Sequence, residues 1–105
     1  MNMMQIMKQA QNMQSKLKSA QAELANLEIT GEAGGGAITV TCDGQGKFKS
    51  IKISESAASG LSEDDREMLE DLISTAINSA TEKASKEMES RLKAATGGLN
   101  IPGLF

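Results

Sequence analysis

From Met3 to Leu27 the apolar residues fall at Met3, Ile6, Ala10, Met13, Leu17, Ala20, Leu24 and Leu27, in steps that alternate three and four without a break. This is the a/d stripe of a heptad repeat. No Gly or Pro interrupts the segment, and its Gln, Lys, Met, Leu, Ala and Glu residues favour helix. A helix over residues 3–27 would run about 35–40 Å at 1.5 Å per residue. A stripe of that length requires a second helix, or a second copy of the chain, laid against it.

The chain supplies little bulk with which to bury the stripe. Its 105 residues suit a single domain spanning 1–105, and they include seven Met, two Phe and no Trp or Tyr. A core of small and flexible side chains makes a marginal monomer and favours an oligomer. The formal net charge of −3 is unevenly spread. Residues 1–26 carry Lys8, Lys16 and Lys18 against Glu23 alone, whereas residues 54–105 carry ten acids and five bases. The first helix is therefore the basic one, although the overall balance is acidic.

Composition also excludes chemistry. There is no His, which removes His-based catalysis and the usual zinc sites. Cys42 is the single cysteine, so no intramolecular disulfide can form, which suits a reducing cytoplasmic compartment. Gln5 and Lys8 interrupt the Met-rich start, which does not read as a signal peptide, and no stretch approaches the length of a membrane span.

After the first helix the period changes. Residues 28–53 read as strands and a hairpin. Glu28–Ala33 is extended, and Gly34, Gly35 and Gly36 make a sharp turn. Gly31 and Gly36 have the spacing of a phosphate-binding loop, but Ala37 and Ile38 follow where Lys and Ser or Thr are needed. Ile38, Val40 and Cys42 alternate with Thr39 and Thr41, which makes Cys42 a buried apolar position. Asp43-Gly44-Gln45-Gly46 is a hairpin turn. On the return strand Ile51 and Ile53 share a face and Phe48 is out of phase by one, so a bulge at Lys49–Ser50 is expected to bring it into line. Lys47, Lys49 and Lys52 then face solvent, where they discourage sheet extension or contact a polyanion.

Residues 54–60 form a polar connector. Ser62 with Asp65 resembles a capping box for a helix over 62–95, whose stripe runs from Leu69 to Ala95. Glu82–Lys86, Glu87–Arg91 and Glu89–Lys93 are spaced for acid-first ion pairs along it. Gly97 and Gly98 end this helix, and 96–105 is expected to be a flexible tail. The expected class is α+β: a long helix, a small antiparallel sheet of two to three strands, and a second long helix. Such a sheet leaves a free edge, and an intertwined or edge-paired homodimer with protruding helical arms is the expected solution.

Several runs resemble the small bacterial nucleoid-associated proteins of the YbaB/EbfC type. They are Met7-Lys8-Gln9-Ala10-Gln11 with Met13-Gln14, Leu24 through Gly36, Met68 through Ile73 with Ala76, Asn78 and Ala80, and Pro102-Gly103-Leu104-Phe105. The Thr-Gly-Glu-Ala-Gly-Gly-Gly run after a Gln- and Met-rich helix is the specific part. The resemblance implies a tweezer-shaped homodimer with a shared β core. It also implies duplex DNA binding with low or broad sequence preference, and a role in nucleoid organisation or gene regulation. It supplies no catalytic or base-reading motif.

On the residues themselves, the candidates for phosphate contact are Lys8, Lys16 and Lys18 on the first helix and Arg91 and Lys93 near the end of the second. On the heptad Lys8 falls at f, Lys18 at b and Lys16 at g, away from the a/d stripe. No helix-turn-helix pattern is present, and the lack of Trp and Tyr argues against binding single strands by base stacking. The alternative is a dimeric protein-interaction or assembly module without direct DNA binding, served by the adaptable Met-rich surface. An enzyme is not expected, nor a cofactor, a metal, a small-molecule substrate or a membrane partner. The expected location is the cytoplasm, at the nucleoid.

Overall fold

The computed structural model describes residues 2–97. Helix α1 spans Met3–Leu24, and strands β1 (Ile29–Ala33), β2 (Ile38–Cys42) and β3 (Phe48–Ile53) follow. Helix α2 is a single turn, Glu55–Ala58, and helix α3 spans Glu63–Ala95. The three strands form one antiparallel sheet in the order β1-β2-β3. The expected helix–sheet–helix order is present. The expected flexible tail falls largely on residues 98–105, outside the described residues.

Both long helices start at capping boxes. Asn2 Oδ1 accepts from the Gln5 amide at 2.9 Å while Gln5 Oε1 accepts from the Asn2 amide at 3.3 Å. Ser62 Oγ accepts from the Asp65 amide at 3.2 Å, and Asp65 Oδ2 accepts from the Ser62 amide at 3.4 Å. Each pair satisfies donors that the first helical turn leaves open.

Helix α1 stops at Leu24, short of the expected Leu27. The heptad stripe runs on, but the chain turns at Ala25 and Asn26 because the last carbonyls find partners elsewhere. Gly44 donates its amide to the Leu24 carbonyl at 2.8 Å, and Gln45 Nε2 donates to the Gln21 carbonyl at 2.9 Å. The β2–β3 turn thus caps α1. Buried Asp43 in turn holds that turn, its Oδ1 accepting from the Gln45 and Lys47 amides at 2.9 and 3.0 Å. The polar connector also differs from expectation, since Ser54 caps the short α2 within it.

The core lies between α3 and two of the three strands. Ile38, Val40 and Cys42 are fully buried and meet Ala76, Ala80 and Ala84 of α3. Small residues on both sides let helix and sheet approach closely. A Cβ at Gly31 would collide with the α3 backbone at Ala76 and Ala80, so the absence of a side chain on β1 sets the helix-to-sheet distance.

The bulge forms as expected. Cys42 pairs with Phe48 and Thr41 with Ser50, which leaves Lys49 outside the register. Phe48, Ile51 and Ile53 therefore stand opposite Cys42, Val40 and Ile38 and share their face of the sheet. Helix α3 packs on β1 and β2. Every residue of β3 stays exposed, including Phe48 (41%), Ile51 (49%) and Ile53 (41%).

Candidate nucleic-acid interface

The chain is 70 Å long and only 22 by 16 Å across. One end is a two-helix arm. Ser15, Ser19 and Glu23 of α1 face Glu87, Ser90 and Arg91 of α3 across an open groove, and Met13 lies by Ala95 and Gly97. The two helices therefore run antiparallel. Ala20 and Leu24 of α1 and Leu92 of α3 are buried, with Met13 and Leu17 half-buried. The first heptads of the stripe, from Met3 to Ala10, stay exposed, so α3 covers only the later half of the seam.

Charge is segregated along this axis. The arm, taken as α1 with the part of α3 from Glu82 onward, holds seven of the eleven bases and four of the fourteen acids. The rest of the chain holds ten acids and four bases, with Glu63, Asp64 and Asp65 in the first turn of α3. An acidic chain thus carries a net-positive arm. Potential over a surface depends on local charge, so the overall balance does not decide what the arm attracts.

The five candidate bases all lie on the arm, in different states. Lys8, Lys16 and Lys18 are exposed and have no ion-pair partner among the described residues. Lys16 lines the groove together with Arg91. Lys8 stands nearer the tip with Gln5, Gln9 and Asn12. Arg91 is engaged twice: Nε donates to Glu87 Oε1 at 2.9 Å and Nη1 to Glu23 Oε2 at 3.1 Å. The hydrogen bond to Glu87 is the main cause that holds its guanidinium above its ordinary pKa, with both carboxylate charges adding. Lys93 pairs with Glu89 at 3.3 Å. Two of the expected helical pairs therefore form, Glu87–Arg91 and Glu89–Lys93.

Glu82–Lys86 is absent from the ion pairs among the described residues. Lys86 is accordingly a further exposed arm cation, although its spacing from Glu82 suggests a carboxylate partner. Lys83 is engaged, donating to the Thr30 carbonyl at 3.0 Å and pinning the base of the arm to β1. No described residue belongs to a His, Cys, Asp and Glu cluster able to hold a metal ion, and no described helix is long and apolar enough to cross a membrane.

The geometry is that of a narrow basic projection on an acidic body, with long flexible cations suited to phosphate oxygens and no aromatic side chain among the described residues of the arm. Residues 1–99 match the YbaB/EbfC DNA-binding family. A nucleoid-associated protein of Pseudomonas fluorescens is 43% identical over 97 residues, covering 92% of this chain and 87% of that one. One from Clostridium kluyveri is 46% identical over 104 residues, covering 99% and 89%. The crystal structure of an uncharacterized Helicobacter pylori protein matches the fold with a TM-score of 0.74 at 20% identity, over 95% of this chain and 99% of that one.

Proposed function

This chain belongs to the YbaB/EbfC DNA-binding family, and we propose that it acts as a homodimer that binds duplex DNA with low sequence preference through the bases of its arms. In this reading it organises the nucleoid or modulates gene expression. The observation that carries it is the charge segregation: the arm is net positive although the chain is net negative. Lys8, Lys16 and Lys18 are the principal contacts, since no carboxylate engages them among the described residues. Lys86 joins them, and Arg91 and Lys93 contribute less because their carboxylate partners already share their charge. Contacts of this kind grip phosphates and read no bases.

The homodimer is supported by β3. Phe48, Ile51 and Ile53 form an apolar strip on the core face of the sheet, each still 41–49% exposed in one chain. A second copy meeting this strip across a two-fold axis would complete the core and leave both arms projecting. Leu69, Ile73 and Ile77 of α3, which pack against the core, are likewise only partly buried in one chain.

A gel-shift titration against unrelated duplexes tests the reading. Binding that is similar for all sequences and weakens steeply from low to physiological salt is the expected result. A verified dimer that leaves duplex DNA unshifted at low salt would instead favour the protein-interaction module.

A further inference from the structure

Glu23 is the only acid in α1, a helix that carries Lys8, Lys16 and Lys18. Among the described residues its pair with Arg91 is the one ion pair that joins α1 to α3. Arg91 is thereby held on two sides. Its Nε donates to Glu87 Oε1 at 2.9 Å within α3, and its Nη1 donates across to Glu23 Oε2 at 3.1 Å. We propose that Glu23 masks Arg91 from DNA phosphate, its carboxylate filling the place on the guanidinium that a phosphate oxygen would take. The arm then binds DNA less tightly than its cations allow. This is a control on the interface proposed above and rests on that DNA-binding reading.

The chemistry of the two ligands is interchangeable. A guanidinium presents the same fork of donors to a carboxylate and to a phosphate. The two carboxylates on Arg91 nevertheless differ in role. Glu87 sits four residues before Arg91 on the same helix, so the pair keeps its geometry whatever α1 does. It orients the guanidinium and leaves Nη1 aimed away from α3. Glu23 takes that aimed donor from the opposite helix, with its own side chain 63% exposed. A pair so open to water adds little to stability and is screened by salt. Its main effect is electrostatic: it sets one more negative charge against the cation that α3 presents to α1.

The masked cation lies within reach of the exposed ones. Lys16, Glu23 and Arg91 line the same groove. Lys16 and Glu23 are seven residues apart on α1, which is two helical turns, or about 10 Å. A phosphate strand neutralised at Lys16 is therefore close enough to use Arg91 once Glu23 no longer carries charge.

The test is Glu23→Gln, which keeps the length of the side chain and favours helix. Glu82→Gln removes the same charge from an arm acid that has no ion-pair partner among the described residues. Gel shifts over a salt series compare wild type, E23Q, E82Q, R91A and E23Q/R91A, each first verified as a folded dimer by circular dichroism and sedimentation. E23Q is expected to lower Kd by about threefold or more and to steepen the slope of log K against log salt by about one, as one more phosphate is engaged. E82Q should give a smaller gain with the slope unchanged. In the R91A background E23Q should gain no more than E82Q does in the wild type. An equal gain from E23Q with and without Arg91 overturns the proposal, because net charge alone then explains it. Binding by E23Q that is unchanged or weaker also overturns it, since Glu23 would then position Arg91 instead of masking it. In both cases the wild type still shifts duplex DNA and the binding reading stands. A wild type that shifts none removes the binding reading, and the mask falls with it.

Discussion

Gly31 on β1 lies directly beneath Ala80 on α3, so close that a Cβ added to the glycine would stand 2.5 Å from the Ala80 nitrogen. The obstacle is helix backbone, which cannot move aside as a flexible side chain can. Gly31→Ala is therefore expected to lift α3 from the sheet and destabilise the fold by about 1–3 kcal/mol, the usual cost of overpacking a tight core. Chemical denaturation measures this as a lower midpoint. A midpoint equal to the wild type would mean that α3 does not approach β1 so closely.

The same contact shows what sequence can reveal. Gly31 sits in a run that is easily noticed, but the partner that explains it is 49 positions away on α3. Local features were legible. Phe48 falls out of phase with Ile51, and the bulge that leaves Lys49 unpaired follows from that mismatch alone. Ser62 and Asp65 announce a helix start because a capping box lies within one turn. Features set by distant partners were not. The heptad pattern carries the first helix to Leu27, while its real end at Leu24 is fixed by the amide of Gly44. At the candidate site, Glu87 is visible as a partner of Arg91 from its spacing, but Glu23 reaches Arg91 only because α1 folds back along α3.

The uncovered strip on β3 gives a prediction for assembly. Ile51 is 49% exposed in one chain, so a charge there costs the monomer little. In a dimer that covers the strip, the charge would be buried against apolar partners. Ile51→Asp is expected to weaken association by about 2 kcal/mol or more, roughly thirtyfold in Kd, with helical content retained. Sedimentation equilibrium over a concentration series checks it. Undiminished association would place the second copy elsewhere than on β3.

Cys42 provides a pH dependence. Its thiol is fully buried, with Sγ 4.0 Å from the Ala80 carbonyl. Burial raises its pKa above the ordinary value of 9.0; the Asp43 charge adds to this and Lys49 opposes it. In the unfolded chain the thiol ionises near its ordinary value, so above that pH the folded state holds more protons than the unfolded state. Stability from this group is therefore complete below the ordinary value and is lost as pH rises through the raised one. Unfolding free energy should fall more steeply above pH 9.0 in the wild type than in Cys42→Ala. Denaturation of both proteins across that range isolates the thiol from the lysines, which they share. Parallel curves would mean that the thiol is accessible in the folded protein.

The arm cations can be ranked by salt dependence. Each phosphate that the protein neutralises releases condensed counterions, so the slope of log K against log salt reports how many phosphates are engaged. Lys8, Lys16 and Lys18 lack carboxylate partners among the described residues, whereas Arg91 is held by Glu87 at 2.9 Å and Glu23 at 3.1 Å. Replacing the three lysines by Ala is expected to weaken binding equally on unrelated duplexes and to reduce the slope by about one for each phosphate no longer neutralised. Arg91→Ala should change the slope less, because a guanidinium already held by two carboxylates neutralises little phosphate charge. Its larger effect should fall on the arm itself, as faster hydrogen exchange where α1 packs on α3, since the ion pair from Arg91 to Glu23 ties one helix to the other. A greater reduction of slope for Arg91→Ala than for the lysine triple would reverse the ranking and move the DNA contact into the groove.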